Sequence, residues 1–365
     1  MKIEKIAIIG LGLIGGSLAK TIKKNTDIVI VGIDKSADVL KKSEAEKVID
    51  SGSESIEGAL DGCDLVFLCT DIKENEKLLG EVASNAPESA FITDVGSVKR
   101  GVFEEVKRLG LENRFIGGHP MAGAEKSGYD FSSDVMFENA YYIVTPGEEV
   151  SEKDLDSFNR LLKNLHAIPL VMTPERHDYA TAMVSHVPHI VAYMLTNLLN
   201  HHDDDDHTFA TIAAGGFRDM TRIASSSPDM WVKICRENKK NVIYAIDWIL
   251  KALGTARINL EEGDYDMVKG YFELAKSYHD EMIGSGKAGA IDSAHELYVD
   301  INDEAGAIAT VATMLGEAGI SIKNIGIIHN RESDEGVLRV EFYDEAALED
   351  AKRILSENEF TIHVR

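Results

Sequence analysis

The sequence predicts an α/β dinucleotide-binding domain, then an all-helical domain, then a small α+β domain. Three observations carry this reading. A glycine fingerprint sits between an apolar strand and a helix near the N-terminus. Helical periodicity runs over residues 174–284, interrupted only by Pro188 and Pro228. Strands and helices then alternate again to the end of the chain.

The first strand, residues 5–9, leads into Gly10-Leu11-Gly12-Leu13-Ile14-Gly15-Gly16-Ser17 and a helical pattern to about residue 24. A β-branched strand, residues 28–33, then ends at Asp34. This order of strand, GxGxxG, helix, strand and acid is the Rossmann fingerprint. Gly10 permits the tight turn, Gly12 lets the backbone approach a pyrophosphate, and Gly15 lets the helix pack on the sheet. Leu13 and Ile14 open the helix, where unpaired N–H groups face the phosphates. Asp34 lies 19 residues beyond Gly15, in place to accept from the adenosine ribose hydroxyls. Its charge would repel a 2′-phosphate, so NAD is the expected cofactor.

Buried strands are expected at residues 64–69, 90–93, 114–116 and 140–144. The first is followed by Thr70, the second by Asp94-Val95-Gly96-Ser97-Val98-Lys99, and the third by Gly117-Gly118-His119-Pro120, read as a cramped glycine-flanked turn. Ligands of open α/β sheets sit outside the carboxyl ends of strands. Thr70, Ser97, Lys99 and His119 therefore share one rim with the cofactor. A neutral imidazole there suits proton abstraction near neutral pH.

The totals exclude several functions. With 62 acidic and 38 basic residues among 365, the formal net charge is −24. That balance argues against nucleic acid and anionic membrane as partners, while a few arginines could still hold an anionic small substrate. No window reaches the ~18 unbroken apolar residues of a membrane span. The chain opens directly into a strand, so no signal peptide and a cytoplasmic location are expected. Three cysteines, Cys63, Cys69 and Cys235, form no CxxC pair and read as reduced thiols.

In the helical region, His177, His186 and His189 lie along an apolar face without a carboxylate at ligand spacing, so no metal is expected. Residues 201–207, His-His-Asp-Asp-Asp-Asp-His, read as a solvated loop, with metal binding the alternative. Arg218 and Arg222 are four apart after Gly215-Gly216, near Trp231. They read either as an exposed charged face or as a bidentate carboxylate site, and the glycine-opened helix start favours the second. Apolar excess over residues 242–253 supports a homodimer built on these helices.

Taken together, GLGLIGGS at 10–17, DVGSVK at 94–99, GGHPMAGAEKSG at 117–128, VSHVPH at 184–189 and GGFRDMTRIA at 215–224 resemble the prephenate dehydrogenase family over essentially the whole chain. The resemblance implies NAD-dependent oxidative decarboxylation of prephenate to 4-hydroxyphenylpyruvate in tyrosine biosynthesis. It implies that His119 takes the proton of the substrate C4 hydroxyl as hydride leaves, and that Ser97 orients that hydroxyl and the nicotinamide. Arg222 falls on the substrate arginine, and His186, Lys99, Glu125, Asp219 and Trp231 match further pocket positions. Ala124 stands where many relatives carry threonine or serine, and Arg218 where lysine is common. Arogenate dehydrogenase shares this scaffold and is the nearest alternative; a catalytically silent sensor of NAD and amino acids is the other.

The tail reads as βαββαβ and resembles the ACT domain, a regulatory module that binds amino acids. Asn302-Asp303-Glu304-Ala305-Gly306, continuing into Ala307, matches its ligand loop, with Ala305 where proline is common. The resemblance implies tyrosine as feedback inhibitor, or else a structural module that binds nothing. The expected domains are residues 1–172 (Rossmann), 173–284 (helical, substrate and dimerisation), 285–292 (linker, glycine-rich) and 293–365 (ACT).

Overall fold

The computed structural model describes residues 1–123, 126–284, 295–302, 306–329, 335–358 and 360–363. These fall into two compact units, Met1–Ile258 and Asn259–Arg365.

The first unit begins with β1 (Lys5–Ile9), α1 (Leu13–Asn25), β2 (Val29–Ile33), α2 (Ala37–Ala45), β3 (Ser51–Ser53), β4 (Leu65–Leu68), α3 (Ile72–Asn85), β5 (Phe91–Asp94) and α4 (Arg100–Leu109). The five strands form a parallel sheet in the order β3-β2-β1-β4-β5. The chain thus winds outward from β1 in both directions, and the β1–β4 switch point opens a crevice at the strand ends. Both sheet faces are covered, as parallel sheets require. Along β1, Ile6 and Ile8 enter one core with Leu18, Ile22 and Phe67, whereas Ala7 and Ile9 enter the other with Leu79, Val82 and Val106.

Beyond α4 come β6 (Ile116–Pro120), β7 (Tyr141–Pro146), α5 (Glu152–Asn164) and β8 (Ile168–Val171), a smaller sheet in the order β6-β7-β8. Ile92 N donates to Arg114 O at 2.8 Å, which joins this layer to the edge of the large sheet. The expected turn at His119 is instead strand: His119 pairs with Ile143, antiparallel. The reason is close approach rather than turn geometry. A Cβ on Gly117 would lie 2.3 Å from Thr145 Oγ1, and one on Gly118 2.7 Å from both Asp94 O and Tyr142 Oη. Only a glycine pair lets the strand continue against β5 and β7.

The helical region comprises α6 (Pro174–Thr181), α7 (Val187–His202), α8 (Thr208–Ile212), α9 (Gly215–Thr221), α10 (Pro228–Glu237) and α11 (Lys239–Glu262). A π-helical turn, Ala182–His186, joins α6 to α7. Pro188 has no N–H to donate, and the ladder just before it widens, with Val187 N reaching Ala182 O. The run Pro174–His202 has the length and composition of a membrane-crossing helix, which counting unbroken apolar residues did not reveal. Its residues His177, Asp178, Thr181 and His186 are nevertheless buried among polar partners. Residues 203–207 cap α8: Asp203 Oδ1 accepts from Phe209 N and Asp204 Oδ1 from Thr208 N, both at 2.9 Å.

The second unit holds α12 (Tyr265–Gly284), β9 (Glu296–Asn302), α13 (Ala307–Glu317), β10 (Ile322–His329), β11 (Glu335–Phe342), α14 (Glu345–Glu357) and β12 (Ile362–His363). After α12 the order is βαββαβ, and the four antiparallel strands lie as β10-β11-β9-β12. Leu297, Val299 and Ile301 of β9 and Leu338, Val340 and Phe342 of β11 share one buried face with Val311, Leu315, Leu348 and Leu355 of the two helices. The linker residues 285–292 lie outside the described residues.

Alanine substitutions at two glycines should have effects of opposite sign. Gly118→Ala drives a Cβ into a backbone carbonyl and should lower stability by about 1–3 kcal/mol. Gly216, inside α9, has nothing within 4 Å of a built Cβ. Gly216→Ala should stabilise by roughly 0.5–1 kcal/mol. Thermal unfolding of both variants checks this; an unchanged Tm for Gly118→Ala would contradict it.

Candidate active site

At the β1–α1 junction, Gly10 has φ +93°, and its N–H donates to Ile33 O at 2.7 Å. A Cβ on Gly15 would fall 1.9 Å from Gly10 O, so helix and loop touch backbone to backbone. Gly12, by contrast, has nothing within 4 Å of a built Cβ, and as N-cap of α1 it offers no side-chain acceptor. Leu13 and Ile14 follow in the first turn. This leaves the helix N-terminus to an external anion, as a pyrophosphate needs. Asp34 Oδ2 accepts from Leu11 N at 2.7 Å and Oδ1 from Ser36 N at 2.9 Å, so the carboxylate is locked beside the glycine loop. Thr70, at the end of β4, donates its hydroxyl to Asn75 Oδ1 at 2.6 Å. These residues fit a dinucleotide with an unphosphorylated ribose.

Around His119 the chain builds a buried polar network. Lys99 is fully buried; its ammonium pairs with Asp94 Oδ2 and donates to Gly118 O at 2.7 Å. Asp94 also accepts from Gly96 N at 2.8 Å and from Gly118 N at 3.3 Å. Burial pulls the Lys99 ammonium below its usual range, and Asp94 opposes that shift. Lys99 therefore ties β5, the start of α4 and the strand carrying His119 together. Its ammonium is turned to these partners and has no exposure. Ser97 lies half-buried in the same β5–α4 bend.

Asp178, on α6, caps α4 from outside that helix: its carboxylate accepts from Lys99 N at 2.8 Å and Arg100 N at 2.9 Å. It also accepts from His177 Nδ1 at 2.7 Å, and His177 Nε2 lies 2.8 Å from His119 Nδ1. Since a carboxylate can only accept, His177 carries its proton on Nδ1 when neutral. His119 must then donate from Nδ1, and its Nε2 is an acceptor. Sequence reading missed His177, Asp178 and Asp94 as site residues; the one available signal was a His-Asp pair three residues after the helix-opening Pro174.

His186, at the end of the π turn, has the opposite tautomer. Asn238 Nδ2 donates to Asp178 O at 2.6 Å and to His186 Nδ1 at 3.1 Å, while Asn238 Oδ1 accepts from Asn241 at 2.8 Å. Neutral His186 thus bears its proton on Nε2. Trp231 stacks on His189 at 3.7 Å between centroids and meets His186 edge-on at 6.0 Å; its buried indole N–H has no partner among the described residues. Arg222 lies close enough to His189 for its charge to lower that histidine's pKa, after the larger effect of burial. Arg222 opens a 3-10 turn, Arg222–Ser225, and α9 already includes Gly215 and Gly216. The expected single helix bearing both arginines is therefore broken between them. Asp219, on α9, is exposed and is not drawn into the network, and Glu125 lies outside the described residues.

The network predicts a pH dependence of stability. Burial pushes His186 down to about 4 and also lowers His177 and His119 from the usual 6.5. Folded histidines stay neutral where unfolded ones charge, so below about pH 6.5 the unfolded chain binds more protons. This contribution is full above that pH and is lost as pH falls through the folded values. Urea midpoints should drop on acidification from about pH 7 to pH 5, and should drop less in His186→Gln. Equal slopes for both proteins would contradict it.

Two families match along the chain: the nucleotide-binding domain of prephenate dehydrogenase at residues 18–170 and its dimerization domain at residues 173–274. A prephenate dehydrogenase from Bacillus subtilis is 38% identical over 96% of this chain and 94% of its own length. The crystal structure of Aquifex aeolicus prephenate dehydrogenase, in complex with hydroxyphenyl propionate and NAD+, superposes with TM-score 0.72 at 33% identity, covering 77% of this chain and 99% of that one. Synechocystis arogenate dehydrogenase superposes with TM-score 0.69 at 26% identity, covering 76% and 99%. A dinucleotide crevice, an acceptor histidine at its rim and a donor histidine beside it thus meet these likenesses on one chain, which belongs to the prephenate dehydrogenase family.

Proposed function

We propose that the protein converts prephenate and NAD to 4-hydroxyphenylpyruvate, carbon dioxide and NADH. The observation that carries this is the neutral His119 held with Nε2 as acceptor. NAD, when bound, accepts the hydride. His119 Nε2 takes the proton of the C4 hydroxyl as that hydride leaves, and Ser97 orients the hydroxyl. The Nε2–H of His186 and the unpaired indole N–H of Trp231 are donors for substrate oxygens. Arg222, and on the family pattern Glu125 and Asp219, complete the pocket for a dianion. Lys99 acts through the His119 strand. Gly10, Gly12, Leu13, Ile14, Gly15, Asp34 and Thr70 hold the cofactor. Loss of carbon dioxide makes the substrate ring aromatic, so the protein has chiefly to align, remove one proton and pair charge.

The protein acts as a homodimer in this reading. Met194 and Leu198 of α7 and Trp248, Leu250 and Leu253 of α11 expose apolar side chains that a second copy would cover. The βαββαβ tail is read as an ACT domain that binds tyrosine. The loop at Asn302, Asp303 and Ala305 would bind it; Asp303 and Ala305 lie outside the described residues. Gly306, with φ +100°, turns that loop into α13 at Ala307. The domain boundaries at residues 172 and 292 are part of the same proposal.

NADH formation, followed by absorbance with prephenate or with arogenate and with or without tyrosine, tests this. Turnover with prephenate, suppressed by tyrosine, is expected. Turnover with arogenate alone would move the substrate, turnover indifferent to tyrosine would remove the sensor, and no turnover with either would overturn the activity.

A further inference from the structure

The polar chain behind His119 contains more than a base needs for packing. His177 and Asp178 are fully or almost fully buried, adjacent in sequence, and aligned so that each ring nitrogen of His177 has one partner. Asp178 is itself fixed by two backbone N–H groups at the start of α4. Here imidazole, imidazole and carboxylate form an unbroken hydrogen-bonded line from the rim into the core.

We infer that His177 is a proton-relay partner of His119, and that Asp178 holds His177 in place for it. This rests on the reading of His119 as the base. As His119 Nε2 takes the hydroxyl proton, the substrate O–H bond breaks and an Nε2–H bond forms. In the same event the Nδ1–H bond of His119 breaks and an Nε2–H bond forms on His177. His119 ends neutral with its proton on Nε2, and the positive charge rests on His177, against the Asp178 carboxylate. After product leaves, His177 returns the proton to His119 Nδ1, and His119 Nε2 releases one to water, which restores the starting tautomer.

The surrounding charges explain why the charge should move. Burial most disfavours an imidazolium on His119, and a charge on His177 of α6, Lys99 at the start of α4 and His186 of the π turn disfavour it further, so His119 and His177 do not hold a proton charge together. His177 also feels burial and Lys99, but it has Asp178 in contact and Asp94 nearby, and both favour its charged form. The relay therefore shifts a proton from a ring without a carboxylate to a ring with one.

Three steady-state measurements with NAD and prephenate test the inference, on His177→Gln, Asp178→Asn and His119→Asn. Glutamine can accept from His119 Nδ1 and donate to Asp178, so H177Q keeps the tautomer and the packing but cannot carry the proton. H177Q should lower kcat by roughly tenfold to a hundredfold. Both KM values should stay within about twofold, and the acidic limb of the pH–rate profile should move to lower pH, because protonated His119 has lost its outlet. D178N should move the same limb in the same direction. H177Q with wild-type kcat and an unmoved limb, beside an inactive H119N, would overturn the relay alone. An active H119N would overturn the base assignment instead. The wild-type protein gives a test that needs no variant to fold: single-turnover rates across mixtures of light and heavy water. Two protons in flight bend that dependence, and a straight line would sink the relay.

Discussion

The buried ion pair between Lys99 and Asp94 is the contact on which the site depends. A lysine ammonium without exposure is costly unless paired and hydrogen-bonded, and removing one partner leaves the other charge stranded. Here the pair has a geometric use. Asp94 ends β5, Lys99 starts α4, and Gly118 immediately precedes His119 on β6. One ammonium and one carboxylate thereby fix three chain segments at the rim where the cofactor crevice opens. The paired glycines are the steric counterpart, since any side chain at Gly117 or Gly118 would push β6 off this anchor.

A second carboxylate continues the scheme across the domain. Asp178 caps α4 in place of a side chain from that helix's own N-cap residue, which makes no capping bond. The helical region is thus joined to the nucleotide-binding sheet by hydrogen bonds to charge, and those bonds run on through His177 to His119 and through Asn238 to His186. The two rim histidines consequently present opposite chemistry, an acceptor on His119 and a donor on His186. In a chain with net charge −24, such local arrangements set the chemistry of the site independently of the overall charge.

Features set by local pattern were legible in the sequence. Strand, glycine loop, helix and Asp34 are neighbours along the chain, and their roles follow from turn geometry and helix ends. The βαββαβ order of the tail also followed from periodicity. What was not legible depends on contacts between distant segments. His119 was placed in a turn because Gly-Gly-His-Pro has turn composition; the clash that glycine avoids comes from Thr145, Asp94 and Tyr142. Lys99 enters the pocket through the family resemblance; its pairing with Asp94, five residues upstream, is a contact that no local pattern announces. The sequence offers His177 only as a metal-ligand candidate and gives Asp178 no role. No spacing rule indicates that Asp178 would cap a helix 78 residues away or that His177 would face His119.

The central claim is that this carboxylate-anchored network sets the protonation of His119 before substrate arrives. Nitrogen-15 NMR of the histidine-labelled protein near neutral pH measures it, because protonated and bare ring nitrogens resonate far apart. The account predicts His119 and His177 protonated on Nδ1 and bare on Nε2, with His186 reversed as an internal control. His119 found protonated on Nε2, or as the imidazolium, would contradict it.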